Sequence, residues 1–374
     1  IIIATDYYQK EFLTRAICFG NISSVIVLQI PARPVTSEGS CGSLFYYKEI
    51  SMETLNKPFL TYEQQILKLK EDKKLIISND ELAIGLLKKH SYFDLISGYK
   101  GMFKKANGEY KLYVSIEDIY ALYCFDDNLR ALVLRYILKV EKHIKSLMSY
   151  AFCQKFGENQ IEYLTTTNYN YTETFREEIN YLVGRLNQTI NNPKNYTYIE
   201  HQKRKYGNVP LWVMMKALTL GTVSKMYSFM QQSIQYQVSK EFSYIDESSL
   251  GRMLDLLSRV RNVCAHNERL YDYKYRRGAI NDFAVHEKLN ITKRNGLYLK
   301  GKNDLFAVVI CFYYLLGEED FVSFCIDLEH EIYVLCGKTK QVQRTQLYQK
   351  MGFPLNWMEI DNKIADVICK TQSN

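Results

Sequence analysis

The chain separates apolar from polar residues most clearly over Leu254–Tyr273, which reads LDLLSRVRNVCAHNERLYDY. Counting from Met253, the residues Leu257, Val260 and Cys264 follow at steps of four, three and four. This spacing predicts a helix with one apolar stripe that faces a core. We therefore expect the rest of the chain to be arranged around this helix.

The opposite face of the predicted helix is polar. At about 100° per residue, Asp255, Arg259, Asn262 and His266 fall opposite the apolar stripe, and Arg261 lies between the two faces. Asn262 and His266 are one turn apart and therefore neighbours. A histidine opposite the core stripe is predicted to face solvent, so this face is where we look for function.

Composition favours a helical protein. The 374 residues include only 18 Gly and 6 Pro, which argues for helices over a loop-rich β architecture, and this length suits one large or two ordinary domains. Nine cysteines without a C-x-x-C motif predict a reducing compartment and no structural zinc. The net charge of +7 permits a polyanionic partner without requiring one.

The sequence predicts a cytoplasmic protein without a membrane span. Its longest apolar run, 305–316, is too short to cross a bilayer and is typical of a buried helix. The chain begins at Ile1 without the positive segment and cleavage site of a signal peptide.

Helical patterns recur along the chain and suggest three regions. The predicted helical segments include 62–71, 115–156, 303–316 and 319–336, together with a helix that Asp80 caps and that runs through His90. Residues 1–51 have weak periodicity and are either a native extension or sequence upstream of the natural start. Residues 52–336 form the predicted helical domain, and residues 337–374 form a tail that packs on it.

Common catalytic motifs are missing, which leaves one pattern of interest. The phosphate-loop, zinc-protease and nucleophile-elbow patterns do not occur. The pattern R-x-x-x-x-H does, at Arg261 and His266, although roughly a quarter of a match is expected by chance. Arg259 and Arg269 lie close by and would hold a phosphate, while histidine can exchange a proton with an RNA 2′-hydroxyl near neutral pH. A surface histidine in a charged helix is the alternative interpretation.

A second basic stretch lies between the helical blocks. Lys203, Arg204 and Lys205 form a run that fits either a solvated surface or a contact with the RNA backbone. The 31 tyrosines suit base stacking and protein interfaces equally well, or reflect a compositional habit.

Six ordered segments give the chain a resemblance to a known family. They are KPFLTYEQQ (57–65), YFDLISGYK (92–100), LYCFDDNLR (122–130), PLWVMMKALTLGTVSKMY (210–227), RNVCAHNERLY (261–271) and MGFPLNW (351–357). In these segments the chain resembles the Abi-D/Abi-F type abortive-infection proteins of bacteria, which belong to the HEPN superfamily. The resemblance implies an all-α, HEPN-like helical bundle with additional N- and C-terminal helices. It also implies metal-independent RNase activity and no cofactor.

The resemblance assigns roles to individual positions. It implies that Arg261 and His266 are the catalytic pair, with Asn262 as the polar residue after the arginine. Arg130 and Glu141 lie on another helix that relatives mark with charged residues, and we expect them to contact RNA with Arg259, Arg269 and the basic run. Many relatives carry a second histidine after the motif histidine, whereas this chain has Asn267.

These inferences predict an abortive-infection endoribonuclease. Cleavage by 2′-hydroxyl attack needs a base and an acid, and the chain offers one suitable histidine, so we expect a homodimer with a composite site. The alternatives are a non-catalytic RNA-binding protein that forms a ribonucleoprotein with a small noncoding RNA, and a helical protein-interaction adaptor.

Overall fold

The described part of the protein falls in two units. The computed structural model describes strands Ile2–Ile3, Phe12–Ile17 and Ile26–Pro31, residues 58–362, and residue 364. The chain divides into compact units over residues 1–61 and 62–374. The Met52 boundary of the predicted extension lies outside the described residues. The predicted three-region division therefore stays a prediction.

The first unit contains a small antiparallel sheet. Its strands β1 (Ile2–Ile3), β2 (Phe12–Ile17) and β3 (Ile26–Pro31) lie side by side in chain order. Ile17 pairs with Ile2 on one side and with Ile26 on the other. The weak periodicity of residues 1–51 did not predict these strands.

The second unit is built of helices, which confirms the predicted all-α class. The α-helices are α1 (Tyr62–Glu71), α2 (Asp80–His90), α3 (Ile116–Phe156), α4 (Gln160–Leu164), α5 (Arg176–Asn191), α6 (Thr197–Tyr206), α7 (Leu211–Met214), α8 (Leu220–Phe229), α9 (Gln232–Ser239), α10 (Glu247–Ala265), α11 (Ala284–Lys288), α12 (Leu305–Leu315), α13 (Glu318–Lys338) and α14 (Arg344–Met351). The short strands β4 (Lys293–Arg294) and β5 (Leu297–Tyr298) form a hairpin after α11.

The long helix α3 is the scaffold of this unit. Ser115 and Asp118 start it with a capping box, in which each side chain accepts the other residue's backbone N–H. The helix is about 60 Å long at 1.5 Å per residue. It packs against α9, α10 and α13, and its predicted apolar positions are buried: Ile119, Leu122, Leu129, Leu132, Val133, Ile137 and Val140.

The segment after α14 contributes two aromatic side chains to the helical core. Phe353 and Trp357 are fully buried, with ring centroids 5.2 Å apart. Gly352 has φ +82°, and a Cβ there would stand 2.2 Å from the Asp304 carboxyl carbon, so only glycine fits.

The apolar run that forms α12 is almost wholly buried. Within the described residues, no helix combines the length and apolar character needed to span a membrane.

Candidate functional site

The helix α10 ends in a turn that presents His266. The N–H of Asn267 donates to the Cys264 carbonyl at 3.4 Å, and the N–H of Glu268 donates to the Val263 carbonyl at 3.0 Å. This pair of bonds is a Schellman motif, which requires a left-handed residue directly after the C-cap. Asn267 supplies it, with φ +55°. The prediction that the helix continues to residue 273 is therefore wrong, because the chain turns after Ala265.

The predicted separation of faces on α10 is confirmed. The apolar positions Met253, Leu257, Val260 and Cys264 are all buried. On the other side, Asn262 and His266 are exposed, whereas Asp255, Arg259 and Arg261 are half-buried. The N–H of His266 donates to the Asn262 carbonyl at 2.9 Å, which fixes the two residues on successive turns.

The side chains of Arg261 and His266 have no bonding partner in the described part of the protein. Within residues 58–362, neither the guanidinium nor the imidazole takes part in a hydrogen bond or ion pair with the protein. The Arg261 Nε is buried without a partner. A buried N–H without an acceptor costs free energy, and an anion bound beside it would recover that cost. We call Arg261, Asn262 and His266 the motif face.

The thiol beside these residues is not a nucleophile. Burial raises the pKa of Cys264 to about 12. Since the thiolate is the reactive form of cysteine, Cys264 stays inert at neutral pH.

The turn that carries His266 is held from beneath by Asp126 of α3, which is fully buried. Its carboxylate accepts the N–H of Tyr271 at 2.6 Å and the N–H of Leu270 at 3.1 Å. The Tyr99 hydroxyl donates to it at 2.7 Å, and the Arg130 guanidinium donates at 2.6 Å. We call Asp126, Tyr99 and Arg130 the Asp126 network.

Arg130, predicted to contact RNA, lies inside this network and is 3% exposed. Its Nη2 donates to Asp127 at 2.8 Å, and its Nη1 reaches the Glu268 carbonyl at 3.5 Å. The RNA contact stays a prediction, while the observed bonds tie α3 to the turn.

The charges of the network are coupled. Burial raises the pKa of the Asp126 carboxyl, against the opposing effects of the Tyr99 hydrogen bond and the Arg130 charge. Burial acts to lower the pKa of Arg130, but the Asp126 carboxylate outweighs it and raises that pKa. The guanidinium therefore stays charged, and its bonds to carboxylates are charge-assisted.

Arg269 links the turn to a third segment. Its Nε donates to Asp272 at 2.6 Å, and its Nη1 donates to the Gly98 carbonyl, just after a π-helical turn at Ser91–Ser97. Three segments quoted for the resemblance, 92–100, 122–130 and 261–271, thus meet at one place.

Sequence reasoning did not assign a role to Asp126 or Tyr99. One signal was present, because Asp126 lies four residues after Leu122 and three before Leu129, both buried. A carboxylate on a core stripe needs partners.

The other predicted contacts lie in different surroundings. Arg259 pairs with Asp255 at 3.8 Å on the exposed side of α10. Lys203, Arg204 and Lys205 are exposed on α6, which packs against α5 and α7. Lys203 donates to the Ile190 carbonyl at 3.3 Å.

Glu141, the remaining predicted contact, is buried on α3. Lys145 binds its Oε1 at 2.6 Å and donates to the Leu218 carbonyl at 2.5 Å. The other carboxylate oxygen, Oε2, has no partner.

Among the described residues, no group of three or more His, Cys, Asp or Glu side chains could hold a metal ion. No curated protein and no solved structure matches the chain. The family model described as Abi-like protein matches residues 85–272, half of the chain, which include the Asp126 network and the motif face. This family suggests an abortive-infection function, and the chain belongs to the Abi-like protein family.

Proposed function

We propose that the protein is an abortive-infection endoribonuclease that cleaves RNA at the motif face without a metal ion. The observation that carries the proposal is that the His266 imidazole is exposed, the Arg261 guanidinium is half-buried, and neither side chain has a protein partner in the described residues. The resemblance to HEPN proteins supports the same roles for these positions.

The residue types suit cleavage by the RNA strand itself. His266 accepts the proton of a ribose 2′-hydroxyl, and the 2′-oxygen attacks the adjacent phosphorus. A bond forms from phosphorus to the 2′-oxygen and the bond to the 5′-oxygen breaks, which leaves a 2′,3′-cyclic phosphate. Arg261 stabilises the negative charge that grows on the phosphoryl oxygens.

The departing 5′-oxygen needs a proton, and a second copy of the chain supplies the donor. In a two-fold dimer each interface residue appears twice, so a protonated His266 of the partner subunit can face the same phosphate. The products are the cyclic phosphate and a free 5′-hydroxyl.

The proposal is tested by replacing the motif histidine. We expect His266→Ala to reduce cleavage of a labelled RNA by about a thousandfold, since general acid–base catalysis is worth this much. RNA binding should persist, because the arginines remain. Arg261→Ala should reduce both cleavage and binding. The matched control is His330→Ala, another exposed histidine, on α13, which should cleave normally.

Normal cleavage by His266→Ala would refute the mechanism. If the purified wild type carries RNA, seen as a raised 260/280 nm absorbance ratio, but shows no cleavage in EDTA, the non-catalytic ribonucleoprotein is the better description. If the purified protein carries no RNA, and its function is unchanged by His266→Ala and Arg261→Ala, the protein-interaction adaptor is favoured.

The composite site is tested by mixing subunits. An equal mixture of wild type and His266→Ala is allowed to exchange subunits and is compared with wild type at the same total protein concentration. If one active site needs two His266 side chains, the mixture has about a quarter of the wild-type activity, because only the dimers with two wild-type subunits cleave. A complete site within one subunit would retain about half. Sedimentation velocity on the same samples measures whether the dimer forms.

A further inference from the structure

A cleft beside Glu141 combines a buried carboxylate, an aromatic ring and several lysines. Its volume is about 420 Å³, and its lining includes Glu141, Lys142 and Lys145 of α3 with Trp212 and Lys216 from the segment after Pro210. This volume lies within the range of small-molecule sites in proteins. The three lysines outnumber the one carboxylate, which favours a ligand that carries phosphate.

The carboxylate is built into the cleft but is incompletely bonded. Glu141 is 8% exposed, and Lys145 occupies Oε1 while Oε2 has no partner among the described residues. An ionised carboxylate only accepts hydrogen bonds, with two lone pairs on each oxygen. A buried acceptor left unbonded costs free energy, so the cleft is suited to a ligand that donates N–H groups.

The aromatic ring adds a requirement for a flat ligand. Trp212 is half exposed although it lines the cleft. Single-stranded RNA is recognised by stacking of its unpaired bases on such rings and by hydrogen bonds to the base edges. Guanine alone among the four bases presents two adjacent N–H donors, N1–H and the 2-amino group, which match the two oxygens of a carboxylate.

We infer that this cleft binds a guanine base of the RNA strand, with the base stacked on Trp212, its donors on Glu141 and its phosphate near the lysines. The inference rests on the proposed function for the identity of the strand. It gives the nuclease a sequence preference. Arg130, which contacts the Glu268 carbonyl, and Glu141 are eleven positions apart on α3, or about 16 Å, a distance that a few nucleotides can bridge.

Trp212 makes the test direct, because the chain has two tryptophans and the other, Trp357, is fully buried. The intact protein with His266→Ala is titrated with GMP, AMP, CMP and UMP while tryptophan fluorescence is recorded. We expect GMP to quench fluorescence at a concentration about tenfold lower than the other nucleotides, since a hydrogen bond to a charged group discriminates by at least this much. Equal quenching by all four, or none, overturns the inference.

Substitutions assign the binding to these residues. Trp212→Phe should remove the quenching, and Glu141→Gln should weaken GMP binding about tenfold, because the amide replaces one acceptor with a donor. The control is Glu117→Gln, an exposed glutamate in the first turn of the same helix, which should bind as before. If Glu141→Gln does not fold, as judged by circular dichroism, the base selectivity of the Glu141 protein still decides the outcome.

Short RNA strands distinguish the two possible ligands, which are a guanine within an RNA strand and a free guanine nucleotide. A pentaribonucleotide AAGAA should bind more tightly than both AAAAA and free GMP. If GMP binds as tightly as AAGAA, a free nucleotide is the ligand and the RNA assignment is overturned. Since no cleavage is measured, guanine binding can succeed while the nuclease proposal fails, and the reverse.

Discussion

The two sides of the turn at residues 265–271 differ in how their polar groups are bonded. On the inner side, one carboxylate, Asp126, receives hydrogen bonds from a hydroxyl, a guanidinium and two backbone N–H groups. On the outer side, His266 of the turn and Arg261 of the preceding part of α10 have no side-chain partner within the described residues. A catalytic side chain has to be held within a fraction of an ångström of its productive position. Its own hydrogen-bonding groups must at the same time stay free to contact the substrate. The contrast shows how a short turn can satisfy both demands.

The largest loss of stability is expected when the hydrogen bonds of Asp126 on the inner side are removed. Asp126→Asn removes the charge that balances the buried Arg130, and we expect the free energy of unfolding to fall by about 3 kcal/mol. RNA cleavage should also fall at temperatures where the variant is still folded, because the turn loses its anchor. Urea denaturation and a cleavage assay measure the two effects.

Asp127→Asn is the matched control, since Asp127 binds the same guanidinium from an exposed position, with its side chain 59% exposed. Exposed ion pairs contribute little, so this variant should lose no more than about 0.5 kcal/mol. Equal losses in the two variants would contradict the role given to Asp126.

His286 and His266 show the same contrast in bonding, because the ring nitrogens of His286 are bonded and those of His266 are not. The pH dependence of stability tests the bonded histidine. His286 is fully buried, with Nδ1 accepting the Phe283 N–H at 3.1 Å and Nε2 2.9 Å from the Gly301 carbonyl. Burial lowers the pKa of His286, against the opposing hydrogen bonds. The folded state therefore binds fewer protons than the unfolded state, and the stabilisation present above pH 6.5 is lost as the pH falls below it.

One such group changes stability by up to about 1.4 kcal/mol per pH unit. We expect His286→Gln to flatten the decline in melting temperature between pH 6.5 and 5. A wild-type slope in the glutamine variant would show that other groups cause the decline.

Sequence periodicity predicted the parts of this arrangement that are local. It gave the bounds of α1, the end of α2 at His90, the faces of α10 and the exposure of His266. The predicted cap of α2 was wrong, because Asn79 caps the helix and Asp80 is its first residue. It did not give the Asp126 network, because Tyr99 and Tyr271 lie 27 and 145 residues away from Asp126 in the chain. Contacts of that range depend on how helices pack, which the spacing of apolar residues along one helix does not record.

The end of α10 shows where the prediction from local periodicity stops and long-range packing takes over. The helix prediction extends to Tyr273, although the apolar stripe ends at Cys264 and the next positions in its spacing are Asn267 and Glu268. The backbone instead turns at Asn267, a residue type that enters the left-handed region at low cost. The local signal for the turn is this single asparagine, and the Asp126 network then fixes the residues after it.

The smallest effect is expected at Asn267 itself, and it tests whether this position shapes the turn or assists chemistry. Asn267→Ala should cost about 1 kcal/mol, because a Cβ-bearing residue without a polar side chain is strained at φ +55°. Asn267→Gly should be as stable as the wild type or slightly more so. If the role is geometric, cleavage follows stability, and the glycine variant stays active although it lacks any side chain. Loss of cleavage in a stable glycine variant, measured with thermal melting on the same sample, would instead assign Asn267 a direct part in catalysis.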